Sequence, residues 1–344
     1  MMAGQTTVRR GTMRAVVGYR YGSPDVLQIA EVPVPLLTDE GVLVRVRAAS
    51  VNPVDKYALR GPLIVRITGS GILRPKRPLQ GGDLSGVVEA VGKNVTKFKP
   101  GDEVFGTGPG TIADYVCARE ARLAIKPKTT SFEEAAGVPI AGITALQGLR
   151  DKGGVKAGQN VLVNGASGGV GTFCVQIAKA MGARVTGVCS QRNVDQTREL
   201  GADKVIDYTK EDFLDDTTRY DAVLDVAGAR SLSDDRKVLV PGGTFVLVGV
   251  NPKGGFVRIL LRLAKGVDLN KVFRQKVIFY MAKINTPDLD ILAGMMAEGK
   301  VKTVVDRTYS FEDTKKAFSY FEEGHARGKV IIRVSGDSSG RAGG

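Results

Sequence analysis

The sequence predicts an α/β protein in two parts: a β-rich, barrel-like or sandwich part first, then a doubly wound parallel sheet. Three observations lead there. Short β-rich runs, punctuated by Gly, Pro and Asp, fill residues 13 to about 130. From about residue 131, apolar strand-like runs alternate with helix-like ones, the rhythm of βαβ units around a buried parallel sheet. Between the first such strand and helix lies a glycine turn, Gly165-Ala166-Ser167-Gly168-Gly169-Val170-Gly171, of the kind that opens a dinucleotide-binding helix.

In the first part, "MRAVVGY", "VLQIAEV", "GVLVRVRAASV", "LSGVVEAVG", "DEVFGTG" and "ADYVCA" read as strands. Val51 to Tyr57 reads as a strand running into an Asn-Pro turn. Leu59 to Asp83 is an irregular loop, longer than a connection requires. The stretch from Ser131 to Asp151 reads as helical, with Ser131 as N-cap and Glu133 and Glu134 in the first turn. Five more strands follow, "NVLVNGA", "RVTGVCS", "KVIDY", "YDAVLDVAG" and "GGTFVLVGV". Helices fall at "GGVGTFCVQIAKAMG" and "NVDQTRELG", and again at "PDLDILAGMMAEGKV" and "FEDTKKAFSYFEEG" before a final strand, "GKVIIRV". Residues 1–12 and 335–344 read as flexible tails.

The 344 residues suffice for two domains, and 43% hydrophobic with 25% charged residues is a globular balance. No apolar run of about 18 residues occurs, so no membrane span is expected. Met1 to Met13 lacks the apolar core of a secretory signal. Three scattered cysteines, Cys117, Cys174 and Cys189, point to a reducing compartment, read here as the cytoplasm. The formal charge of +13 reads as a solvated basic face. Its clusters are Arg74, Lys76 and Arg77, and Arg258 to Lys276. No nucleic-acid motif accompanies them, so no nucleic-acid partner is expected. "FVRILLRLAKGV" (256–267) reads as a cap helix, with peripheral membrane contact as the alternative.

The glycine turn carries the strongest chemistry. Its glycines let backbone N–H groups approach a pyrophosphate, and the following helix adds orphan donors and partial positive charge. An NAD enzyme places Asp or Glu at the end of the second strand. Here stand Ser190, Arg192 and Asn193, which can donate to a 2′-phosphate that a carboxylate would repel. The expected cofactor is therefore NADPH. Asp195, deeper in the next helix, is expected to point elsewhere.

At these residues, and across about Met13 to Val334, the chain resembles the medium-chain dehydrogenase/reductase superfamily, specifically its zinc-independent quinone oxidoreductase branch. The resemblance rests on "MRAVVGYRYGSPDVLQI", "VNPVDKYALRG", "GGDLSGVVEAVGKNVTKFKPGDEVFG", "AGITALQGL", "NGASGGVG", "RNVDQTRELGADKVIDY" and "GHARGKVII". It implies a GroES-like catalytic domain over 13–130, completed by about 287–334 returning to it. A Rossmann domain over 131–286 is implied between them, with the active site in the cleft and a homodimer as the assembly. It further implies that Thr144 faces the nicotinamide and that Tyr208 lies near the adenosine phosphate. Gly249 and Val250 close the nicotinamide pocket, Phe279 sits on the loop over it, and Lys329 lies near the cofactor.

Zinc members of that superfamily carry Cys at about Asn52 or Pro53 and His within what is here Gly81-Gly82-Asp83. Neither ligand is present, and His325 is the chain's single histidine. No metal is expected. Without a Lewis acid, simple alcohols and ketones are poor partners, whereas quinones and conjugated carbonyls spread the developing charge. The expected substrate is such a small molecule. Asn52, Asp55 and Tyr57 are the candidate catalytic residues, Asn52 and Tyr57 as donors to a substrate oxygen and Asp55 as an orienting group. The alternatives are an enoyl-thioester or alkenal reductase, and a non-catalytic NADPH-binding protein with RNA or membrane-surface affinity.

Overall fold

A computed structural model describes residues 11–63, 66–228, 236–248 and 275–334. The expectations for Gly249, Val250 and the 256–267 segment fall outside these residues. Those described divide into two compact units, with breaks at Ile140/Ala141, Lys283/Ile284, Ala297/Glu298 and Val304/Val305.

In the first unit, β1 (Thr12–Val17) pairs antiparallel with β2 (Gln28–Pro33). The main sheet is built from β3 (Gly41–Val51), β4 (Asp83–Val91), β5 (Glu103–Thr107), β6 (Tyr115–Arg119) and β7 (Leu123–Ile125). Two late strands, β14 (Val305–Ser310) and β15 (Lys329–Arg333), complete it, in the order β14-β15-β3-β4-β5-β7 with β6 on β3. The chain's last strand thus pairs with one of its first, the split arrangement that the resemblance implies. Val44, Val46, Leu84, Val104, Phe318 and Ile332 lie in one buried apolar cluster, each large side chain contributing about 1.5–3 kcal/mol by leaving water.

Two local outcomes differ from the sequence reading. The Asn-Pro segment is not a turn but opens a helix, α1 (Pro53–Arg60). Asn52 is its N-cap, Pro53 takes the first position, and the Asp55 carboxylate accepts the Asn52 N–H at 2.8 Å. The helical stretch after Ser131 is broken in two, α2 (Phe132–Ala136) and α3 (Pro139–Gln147), because Pro139 has no N–H to continue the first. Ser131 Oγ accepts the Glu134 N–H at 3.1 Å, and Glu134 accepts the Ser131 N–H at 2.9 Å. This capped helix packs on β3 and β4, so residues 131–140 go with the first unit.

The second unit is a six-stranded, wholly parallel sheet. Its strands are β8 (Asn160–Asn164), β9 (Arg184–Cys189), β10 (Lys204–Asp207), β11 (Tyr220–Asp225), β12 (Leu239–Leu247) and β13 (Lys276–Phe279). The order is β10-β9-β8-β11-β12-β13, doubly wound about a switch point between β8 and β11. Leu162, Val223 and Phe245 of three of its strands are buried in one cluster. Crossovers include α4 (Gly169–Ala180) and α5 (Val194–Glu199). The first unit also holds α6 (Thr286–Ala297) and α7 (Thr314–Glu322). No helix among the described residues is long and apolar enough to cross a membrane.

Candidate active site

In the second unit, β8 ends at a glycine turn in which Gly165 and Gly171 admit no side chain without strain. Gly165 has φ 88°, and a Cβ at Gly171 would lie 2.0 Å from the Gly165 carbonyl oxygen. The turn is tied to β9: the Gly165 and Ala166 N–H groups donate to Val188 O at 3.1 and 3.0 Å. Around Gly168 the space is open, since a Cβ there would meet only Gly165 O, at 3.7 Å. Gly168 is the N-cap of α4 and supplies no side-chain cap. The first N–H groups of a twelve-residue helix, at Gly169 and Val170, therefore lack a capping side chain. This is a cradle for a pyrophosphate.

At the end of β9, Asn193 is buried, and its amide donates to both Ser167 Oγ and Ser190 Oγ at 3.1 Å. Its Oδ1 is buried without a partner. Asn193 therefore ties the phosphate loop to the second strand rather than reaching outward, as its sequence position alone implied. Arg192 is exposed on the same turn. Asp195 points away, 91% exposed and paired with Arg198 at 3.3 Å.

Beyond the carboxyl ends of β8 to β11 opens a pocket of about 600 Å³. Asn164, Gly165, Val188, Tyr208, Phe213 and Ala227 line it. Tyr208 is exposed there. The backbone carbonyl of Thr144, on α3, accepts the Tyr280 hydroxyl. Phe279 ends strand β13, paired with Leu247, and is not on a loop. The backbone cradle, the open face at Gly168 and the orphan amide oxygen fit an adenine dinucleotide.

In the first unit, strand register assembles a buried polar cluster. Asp83 starts β4 opposite Ser50 of β3, and Val330 of β15 lies opposite Val51, which sets Lys329 beside Asn52. Lys329 Nζ donates to Asn52 Oδ1 at 2.6 Å and stands 3.7 Å from Asp83 Oδ2. Asp83 Oδ2 accepts Asn52 Nδ2 and Ser50 Oγ, both at 2.9 Å, and Asp83 Oδ1 accepts the Ile140 N–H at 3.1 Å. Burial pushes Asp83 up and Lys329 down, while their mutual attraction and the donors to Asp83 oppose it.

Burial also pushes Asp55 up to about 7, against the lowering effect of the Asn52 N–H. Asp55 lines a cavity of about 880 Å³ together with Tyr21, Ser70, Gln80 and Gly81. The Tyr57 hydroxyl is half-buried and makes no hydrogen bond within the described residues.

The sequence expectations for this cluster change in two respects. Asn52 was expected to donate to a substrate oxygen, yet both ends of its amide are engaged within the protein. Lys329 was expected near the cofactor, but its ammonium is turned into the carboxyl–amide cluster. Sequence reasoning passed over Ser50 and Asp83 as site residues. The available signal was an acid at the head of one apolar strand, "DLSGVV", and a lysine at the head of another, "KVII".

A doubly wound sheet with a phosphate loop, joined to a β-rich unit that reclaims the last strand, defines the dehydrogenase/reductase class. Residues 38–128 match the family model described as alcohol dehydrogenase GroES-like domain, and 200–332 that described as zinc-binding dehydrogenase. The Bos taurus protein named NAD(P)H oxidoreductase RTN4IP1, mitochondrial, is 35% identical across 96% of this chain and 91% of its own. The Solanum lycopersicum 2-methylene-furan-3-one reductase is 36% identical across 91% of this chain and 76% of its own. A solved quinone oxidoreductase from Coxiella burnetii superposes with TM-score 0.82 at 30% identity, covering 94% of this chain and 100% of that one. The chain belongs to the medium-chain dehydrogenase/reductase superfamily.

The second family description implies zinc, and the donor set does not fit it. The polar cluster of the first unit offers one carboxylate, one amide and an ammonium, and neither sulfur nor imidazole. An ammonium, itself a cation, already contacts Asn52 and Asp83. Among the described residues, no group of three His, Cys, Asp or Glu could hold a metal ion.

Proposed function

We propose that the chain transfers hydride from NADPH to quinones or α,β-unsaturated carbonyls, without zinc. The observation that carries the reading is the buried Lys329–Asn52–Asp83 cluster, whose amide and carboxylate oxygens are already occupied by an ammonium. NADPH, when bound, supplies the hydride. The N–H groups at Gly169 and Val170 would hold its pyrophosphate, with Gly165, Ala166 and Gly168, whose N–H donates to Gly165 O, shaping the turn. Ser167, Ser190 and Arg192 face the phosphate on its adenosine side, and Tyr208 flanks the adenosine. Thr144 belongs to the nicotinamide side.

The chain's own groups then handle the acceptor. Tyr57 donates its free hydroxyl to the oxygen that gains negative charge. Asp55, raised to about 7 by burial, holds the proton that the anion left by hydride addition to carbon takes up. Asn52 and Asp83 are positioning residues. They fix the Lys329 ammonium, whose field stabilises the developing anion. Charge spread through a conjugated acceptor lets these modest groups suffice where a saturated ketone would require a metal. We also propose a homodimer in solution. The names of relatives support the acceptor class, and some of those relatives are mitochondrial or chloroplastic by name.

Calorimetric titration with NADPH and NADH tests the cofactor half. NADPH should bind at least tenfold tighter, the worth of one charge-assisted contact at about 1.4 kcal/mol or more. Equal affinities, or no binding of either, would refute it.

A further inference from the structure

The segment between α1 and β4 borders the Asp55 cavity through Ser70, Gln80 and Gly81, and it also turns a basic and apolar surface outward. From Lys56 to Gly82 the sequence holds six Lys and Arg and no Asp or Glu. Leu63, Ile67, Ile72 and Leu73 are 71%, 59%, 65% and 90% exposed. Scattered exposed aliphatics are ordinary, but four within eleven residues are not.

The loop is nevertheless built. The Tyr21 hydroxyl donates to Ser70 O at 2.9 Å and Gly71 O at 2.7 Å, and the Arg66 guanidinium lies 4.5 Å over the Tyr21 ring. Arg66 also donates to Gly61 O. The Lys76 N–H closes the loop onto Ser70 O at 2.9 Å. Gly61 has φ 54°, and a Cβ there would lie 2.1 Å from Tyr21. The exposed side chains are therefore presented by a folded platform.

From Arg60 onward the cations divide into two sets. Arg60 is paired with Glu322, and Arg66 is used on Tyr21. Arg74, Lys76 and Arg77 are exposed, their side chains without hydrogen bond or ion pair among the described residues, and Lys76 and Arg77 also border the Asp55 cavity. They follow directly on Ile72 and Leu73 along the chain.

We propose that this loop docks the protein on an anionic lipid bilayer, with Ile72 and Leu73 entering the interface and Arg74, Lys76 and Arg77 meeting acidic headgroups. The argument is complementarity of both kinds at once. A bilayer surface of acidic lipids offers negative charge directly above hydrocarbon. A nucleic acid would meet the cations and leave the aliphatics in water. The inference is independent of the oxidoreductase reading.

Flotation of the full chain with vesicles tests it, using phosphatidylcholine alone and phosphatidylcholine with phosphatidylserine at two to one. The protein should float with the mixed vesicles, release as salt rises, and stay behind with phosphatidylcholine alone. Each neutralised cation is worth about fivefold in partitioning, so Arg74→Gln/Lys76→Gln/Arg77→Gln should weaken it about a hundredfold. Ile72→Asn/Leu73→Asn should weaken it at least tenfold at every salt concentration, with thermal midpoint and NADPH affinity unchanged. The proposal is overturned if the wild type ignores mixed vesicles or floats equally with both. Unaltered binding of either variant overturns it as well. So does capture by soluble polyglutamate that is as strong for the Ile72/Leu73 variant as for the wild type, which would assign the surface to an acidic protein.

Discussion

Replacing Lys329 with Met keeps the side chain's length and removes its charge, and the consequences follow from the contacts around it. Lys329 is 3% exposed and Asp83 is fully buried. Their charges stand 3.7 Å apart, and the ammonium also satisfies Asn52 Oδ1. Removing one partner of a buried pair leaves the other's charge uncompensated, which costs about 3–5 kcal/mol. Chemical denaturation at pH about 8 should show Lys329→Met less stable than wild type by that amount.

The loss should depend on pH in a defined sense. Without the cation, the Asp83 carboxyl in the folded chain rises further above its unfolded value. A group raised on folding stabilises at low pH, and that contribution is lost as pH rises through the raised value. The variant should therefore approach wild type toward about pH 4 and fall away above neutrality. Lys329→Met/Asp83→Asn removes both charges and should regain most of the loss, a coupling of about 3 kcal/mol in the double-mutant cycle. A single-variant loss under about 1 kcal/mol, flat with pH and additive with Asp83→Asn, would refute the buried pair as described.

The other expectations concern the phosphate loop and the acceptor residues, each within its own unit. Arg192→Ala should raise KM for NADPH about tenfold to a hundredfold and leave KM for NADH nearly unchanged, read by steady-state kinetics. Gly171→Ala must move the Gly165 carbonyl, 2.0 Å from the new Cβ. It should cost about 1–3 kcal/mol in stability and at least tenfold in NADPH affinity by calorimetry. Tyr57→Phe should lower kcat about tenfold to a hundredfold with NADPH affinity intact, since it deletes one donor without altering the fold. Asp55, raised by burial to about 7, stabilises the chain fully below its unfolded value and loses that contribution as pH climbs to 7. Asp55→Asn should flatten the stability profile of denaturation midpoints across that window by about 4 kcal/mol, at 1.36 kcal/mol for each pH unit.

Legibility of the sequence followed the range of the interactions. The phosphate loop is local: strand, glycine turn and the start of the helix lie within a dozen residues, and Gly165 and Gly171 each have a steric reason. The parallel sheet was equally plain, because strands buried on both faces are apolar without alternation. Helix α1 was missed although Asn52-Pro53-Val54-Asp55 spells a cap, a first-turn proline and a carboxylate at the third position. The Asn-Pro pair also reads as a turn, and the competing signal won. Asn193 looked like an outward donor, yet packing against Ser167 turned it inward.

The acceptor cluster was least legible. Asp83 and Lys329 are 246 residues apart in sequence and meet only because β4 and β15 both flank β3. Nothing local to "GGDLSG" or "GKVII" reveals that register. A charged residue at the head of an otherwise apolar strand was the one available sign, and it required a partner that pattern reading could not supply.

The most direct test of metal-free hydride transfer is NADPH oxidation by chelator-treated protein, followed against quinones, conjugated enones and saturated ketones. Quinone- or enone-dependent oxidation should persist undiminished after chelation, with saturated ketones inert. Oxidation that vanishes on chelation and returns with added zinc, or that never exceeds the rate without acceptor, would contradict the assignment.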